Sequence, residues 1–168
     1  MARSIRVQIP SQVEADNVLA AFGDTAYWEA RLAAFSNGTG TLDALHVDTR
    51  GTVTVTITLH LLTDRLPKAL RRLCPSDVQM ERHEQWTPGP DGLVLGDLAA
   101  TMRGAPVSMT AEARIVATAP GSRLDYVATI DARVPLVGSR IESYLAAQAS
   151  KEVGAIHRFT GDWITANV

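Results

Sequence analysis

Between Thr52 and Leu61 the chain alternates almost without fault. Val53, Val55, Ile57, Leu59 and Leu61 are aliphatic, and Thr52, Thr54, Thr56, Thr58 and His60 fill the positions between them. A period of two matches a pleated strand, whose successive side chains leave on opposite faces. It does not match a helix, whose apolar positions recur every three or four residues. Threonine is β-branched, so even the polar half of the pattern favours extended backbone. Such a strand belongs in a sheet with one covered and one wet face, the usual state of an antiparallel sheet.

The same texture recurs along the chain. Ile5, Val7 and Ile9 alternate with Arg6 and Gln8 up to Pro10, and Leu42 to Asp48 leads into an Arg50-Gly51 turn. Further strands are expected over 78–86, 93–102, 107–118 and 124–134. The punctuation between them is Pro88-Gly89-Pro90-Asp91-Gly92, Gly104-Ala105-Pro106 and Pro120-Gly121-Ser122. Turns this short join antiparallel neighbours. Two short helices follow the first strand. Ser11 is the expected N-cap of one, with Glu14 at the capping-box position and Val13, Val18, Leu19 and Phe22 at helical spacing. Asp24 is the expected cap of the other, which carries Tyr27, Trp28, Leu32 and Phe35 and ends at Asn37-Gly38. Leu66 to Cys74 is a helical connection started by Pro67.

From Leu136 the period changes to about 3.6. Ile141, Tyr144, Leu145, Ala149, Ile156, Phe159 and Trp163 fall on one arc, with Ser143, Ala147, Ser150, Gly154 and Gly161 opposite. This long terminal helix is the only element large enough to cover the sheet's apolar face. The 168 residues, without repeats or linkers, read as one domain over 1–168.

Strand, two short helices, six hairpin-linked strands and a long helix: in this order and these lengths the chain resembles the START-like (Bet v 1-like, SRPBCC) superfamily. The strand carrying Glu84-Gln85-Trp86 and the terminal helix are the most recognisable parts. The resemblance implies an α+β helix-grip fold, a seven-stranded curved antiparallel sheet wrapped around a long C-terminal α-helix, with an internal cavity between them. It also implies the two activities that the superfamily houses, carriage of lipids or other hydrophobic compounds and polyketide cyclase/dehydrase chemistry. Only two of the 16 basic residues are lysine and alanine is abundant, a bias that fits a GC-rich, actinobacterial genome.

Several classes are set aside. A net charge of −2 and a pI near 6.1 argue against a nucleic-acid partner. No apolar run approaches the ~18 residues of a membrane span, so no stable membrane insertion is expected. Met1 to Pro10 lacks the apolar core of a signal peptide, and the single Cys74 cannot form an internal disulfide. A cytoplasmic location is the simplest expectation. His46, His60, His83 and His157 have no metal-ligand spacing, and no cofactor or metal is expected. Gly38-Thr39-Gly40 lacks the Lys-Ser/Thr of a phosphate loop and reads as a turn. Cys74 has no evident activating base, Arg65, Lys68, Arg71 and Arg72 read as a solvated face, and Phe22, Trp28 and Phe35 read as core rather than gate.

Parity then indicates the interior. Val107, Met109, Ala111, Ala113, Ile115 and Ala117 should face inward from the sixth strand, and Leu124, Tyr126, Ala128, Ile130, Ala132 and Val134 from the seventh. So many alanines leave room for a pocket, unless the helix sits closer to them. On the fourth strand Gln79, Glu81, His83 and Gln85 form a polar face, which turns Arg82 and Glu84 inward between Met80 and Trp86. On the terminal helix Glu152 falls near the centre of the apolar arc beside Gln148, and Arg82 is its natural partner.

Three readings of these groups remain open: a structural ion pair, the polar end of a greasy pocket, or an acid–base pair. The candidate ligand contacts are Arg82, Glu84, Trp86, Met109, Ala113, Tyr126, Ala128, Gln148, Glu152 and Ile156, and no residue is assigned as catalytic. The function expected first is binding or transport of a hydrophobic small molecule, lipid or polyketide-like. The alternatives are a cyclase/dehydrase-like enzyme using an inward carboxylate pair and an interaction module with a solid core. Oligomeric state is left open.

Overall fold

Seven antiparallel strands pair in the order β1-β7-β6-β5-β4-β3-β2. They are β1 (Arg3–Ser11), β2 (Thr41–Val47), β3 (Val53–Leu61), β4 (Val78–Pro88), β5 (Val94–Arg103), β6 (Val107–Ala117) and β7 (Ser122–Ala132). The computed structural model describes residues 2–36, 39–61, 66–73 and 78–167. The Asn37-Gly38 helix end, Arg65 and Cys74 of the sequence analysis lie outside those residues. Strands β2 to β7 follow one another as hairpins, and β1 then pairs with β7, so β1 and β2 occupy opposite edges of the sheet. The chain must cross from one edge to the other, and it does so as α1 (Ala15–Phe22) and α2 (Thr25–Phe35). A short α3 (Lys68–Leu73) links β3 to β4, and α4 (Gly138–Asn167) closes the chain. With 30 residues α4 is about 45 Å long and lies against β1 and β7. The result is the helix-grip fold that the element order implies.

The parity of the strands holds in the register. Ile57, Arg82, Ala100 and Met109 are neighbours across four strands, and so are Val55, Glu84, Leu98 and Ala111. All of them stand on the covered face. Ala117, expected to face inward, is exposed at the end of β6. Helix α2 starts as expected, with Asp24 Oδ1 accepting the Ala26 N–H at 2.9 Å. Helix α1 does not: its N-cap is Glu14, without a side-chain cap. Ser11 ends β1, and its Oγ accepts the Val13 N–H at 3.1 Å, a local turn that competes with the capping box.

The larger correction concerns the rotation of α4. Its buried side is Ile141, Glu142, Ala146, Val153, His157, Thr160 and Ile164, whereas Gln148 and Glu152 are exposed. Glu152 is therefore not at the centre of the packed arc. The glycine side, expected to be outward, instead approaches the β1 edge: a Cβ on Gly154 would lie 3.9 Å from Ile9 Cδ1, and one on Gly161 3.6 Å from Ser11 Oγ. The contact of α4 with β1, and not the apolar arc alone, thus accompanies the rotation that the helix adopts.

Candidate functional site

Glu84 is the centre of the buried polar region. It is 1% exposed, and β4 holds it inward because its parity is that of Val78, Met80 and Trp86. Its Oε1 accepts from Arg31 Nη2 at 3.0 Å and lies 2.8 Å from Arg82 Nε, and its Oε2 accepts the Trp86 indole N–H at 2.9 Å. Both oxygens are thus engaged within the protein. Burial pushes the Glu84 pKa up, but the two guanidiniums outweigh it and hold the carboxyl below its ordinary value. Arg31 mirrors this, since burial opposes its charge while Glu84 restores it and raises the pKa further. Its guanidinium carbon also sits 4.6 Å over the Trp28 ring, a cation–π contact.

The sequence reading paired Arg82 with Glu84 or Glu152. Among the described residues Arg82 pairs with Glu84, and the second cation is Arg31, on the helix that spans the sheet. Arg31 was missed because in α2 it reads as one more polar helix position. The Arg82 contact is close but not in line, so its Nε–H has no hydrogen-bond acceptor.

Beyond Glu84, the Tyr27 hydroxyl donates to Thr160 Oγ1 at 2.6 Å, and Thr160 donates to the Ile156 carbonyl at 2.8 Å. His157 lies beside them, 6% exposed, with its Nε2 unpartnered and its pKa lowered by burial. An aromatic wedge joins α1 and α2 to the sheet and α4. Phe22 stands 4.6 Å from Trp86 and Tyr27 stands 5.4 Å from Trp163, centroid to centroid.

Voids surround Arg82. One of about 110 Å³ lies between β4–β7 and α4, with Met80, Met102, Met109, Ile130, Leu145 and Ile156 among its walls, and Arg82, Tyr126, Gln148 and Glu152 as its polar members. A second, of about 40 Å³, is bounded by Glu84, Trp86, Tyr126, His157 and Thr160. A third, of about 20 Å³, reaches Arg31 and Phe35. Arg82 and Ile156 border all three. A fourth, of about 220 Å³ beneath Phe35, Leu59 and Leu66, shares Met80, Met102 and Leu145 with the first.

Eight of the ten candidate contacts border at least one void. Ala113 and Ala128 are buried but border none. Ala113 pairs with Gly96, and Gly96 pairs with Trp86, whose ring lies so close that a Cβ on Gly96 would come within 2.5 Å of Cζ3. Indole fills the space that the small side chains leave there. Ala128 lies fully buried on β7, one of the two strands against which α4 packs.

Comparison with known proteins follows the fold. A family model described as "Protein of unknown function (DUF2505)" matches residues 5–164. The uncharacterized protein Rv0481c of Mycobacterium tuberculosis is 30% identical over 174 aligned positions that cover all of both chains. Among crystal structures, the di-domain ARO/CYC BexL from the BE-7585A biosynthetic pathway superposes with a TM-score of 0.59 at 14% identity, over 96% of this chain and 49% of that one. A STAR-related lipid transfer protein from Xanthomonas axonopodis gives 0.52 at 15% identity, over 88% and 82%. At these identities the likeness is one of fold, and the fold is START-like.

Proposed function

We propose, on the premise that this chain belongs to the DUF2505 family, that it binds and carries a hydrophobic small molecule between the sheet and α4. The observation that carries this reading is the Arg82 void, apolar along most of its wall and polar at one end. Methionines supply much of that wall, and their unbranched, polarizable side chains adapt to varied apolar shapes. A dry cavity of about 150 Å³ in another protein takes up benzene, so the present void suits a ring or short chain, with the adjoining 220 Å³ space for the remainder. One fold relative is a lipid transfer protein, which supports a hydrophobic cargo here.

Carriage is preferred to catalysis because Glu84, held ionised between two cations, has no proton to give as an acid and both its oxygens engaged, which leaves it little to accept with as a base. Native mass spectrometry of freshly purified protein, followed by solvent extraction, tests the reading. A stoichiometric apolar adduct is expected. A clean mass, together with no displacement of a fluorescent lipid by any apolar compound, would overturn it in favour of a solid interaction module.

A further inference from the structure

We infer that the ligand is an apolar carboxylic acid, whose carboxylate sits on Arg82 and whose hydrocarbon body lies along the methionine wall. This deepens the proposed function and rests on it. Arg82 is 8% exposed, yet its one polar contact is the off-line approach of Nε to Glu84. Its two terminal nitrogens meet no acceptor among the described residues. Nε is thus buried without an acceptor, and the terminal nitrogens keep donors free for an incoming one.

The surroundings narrow the acceptor's chemistry. The Tyr126 hydroxyl, in a residue 3% exposed, borders the same two voids and has no hydrogen bond among the described residues. His157 Nε2 is an orphan on the wall of the second void. The buried acceptors nearby are taken: Glu84 uses one oxygen for the two arginines and the other for the indole, and Thr160 already receives the Tyr27 proton, while Gln148 and Glu152 stand at the exposed rim. What is left has the Arg82 N–H groups and the Tyr126 O–H as donors, with His157 Nε2 able to donate in one of its two neutral tautomers. A carboxylate, which only accepts, is its complement, whereas an alcohol brings a proton of its own.

Charge points the same way. Arg31 and Arg82 share one buried anion, Glu84, and among the described residues neither has another carboxylate in contact, which leaves one positive charge without a buried counter-ion. Glu152 borders two of the voids with Arg82, but it is exposed and not ion-paired to it. A bound carboxylate would therefore meet attraction from Arg82 and weaker, solvent-screened repulsion from Glu152 at the rim.

Calorimetric titration with decanoate, 1-decanol and decylamine at neutral pH tests the assignment, since the three share a chain and differ in the head. Decanoate is expected to bind about tenfold or more tighter than decanol, as a charge-assisted pair does over a neutral one, and decylamine not at all. Arg82→Gln should erase the advantage of the acid and leave decanol within about threefold of its value. Glu152→Gln, at an exposed position that should not disturb folding, should raise the preference for decanoate over decanol a few-fold, because it removes a repulsion that only the anionic head meets. It decides the matter even if Arg82→Gln fails to fold. Decanol equal to or better than decanoate, or a preference for decanoate lowered by Glu152→Gln, would overturn the anionic head and leave an apolar site standing. Binding of none of the three would count against both the head group and the proposed function.

Discussion

Glu84 and Glu142 are buried to the same degree, 1% and 2% exposed, at opposite ends of the space between sheet and α4. Glu142 accepts the Ala132 backbone N–H at 2.9 Å and so ties the first part of α4 to the end of β7. Its chain neighbour Ile141 and its partner Ala132 belong to a smaller apolar cluster with Val107 and Leu70. Glu84 is held by two guanidiniums and an indole, beside a string of voids, with unpartnered nitrogens of Arg82 and His157 close by. A buried carboxylate is thus no mark of a site by itself. Partners in excess of what the carboxylate can satisfy, next to empty apolar space, are the more informative combination.

The sharpest way to break this contrast is Glu84→Gln. Removing the only buried anion between Arg31 and Arg82 should cost about 3–5 kcal/mol in urea unfolding, because two desolvated cations are then left facing each other. A loss as small as that of a surface substitution would mean the arginines reach water, and the donor-rich region would lose its basis. Gly96→Ala should cost about 1–3 kcal/mol and shift Trp fluorescence, since a Cβ there must displace the Trp86 ring that donates to Glu84. An unchanged spectrum would show that the indole is not held as tightly as the register implies.

At the other carboxylate, Glu142→Gln retains an acceptor for the Ala132 N–H and should cost only about 1 kcal/mol. Glu142→Leu orphans that N–H and should cost more, about 1–3 kcal/mol. If the amide variant were as damaging as Glu84→Gln, Glu142 would need its charge and the contrast would fail.

The smallest effect is a slope with pH. Burial lowers the pKa of His157 from 6.5, with Arg31, Arg82, Glu84 and Tyr126 on the walls of the same void. Below pH 6.5 the unfolded imidazole takes up a proton that the folded one refuses, so stability falls as pH drops through that range. Glu84, whose folded pKa is also depressed, adds a second loss only in the more acidic range below 4.5. The urea midpoint of the wild type should fall between neutral pH and pH 5.5 and that of His157→Gln should fall less; parallel curves would mean the imidazole is not shielded.

Much of this was legible in advance. The strand alternation fixes which side chains share a face, because the period of a pleat is a local property of the backbone. Val53 to Leu61, the inward Arg82 and Glu84, and Tyr126 facing them all follow from it, as do the antiparallel hairpins from their short turns. What local periodicity could not supply was distance and rotation. Whether Ala113 borders a void or an indole depends on where Trp86 lies over Gly96, and Arg31 meets Glu84 only because α2 crosses from one sheet edge to the other. Likewise, α4 buries Glu142 and His157 while it exposes Glu152, in a packing against β1 that joins the two ends of the chain. Side-chain parity is settled within a strand by covalent geometry, whereas the rotation of a helix on a sheet is settled by the summed packing of residues far apart in sequence. That packing exists only in the folded chain.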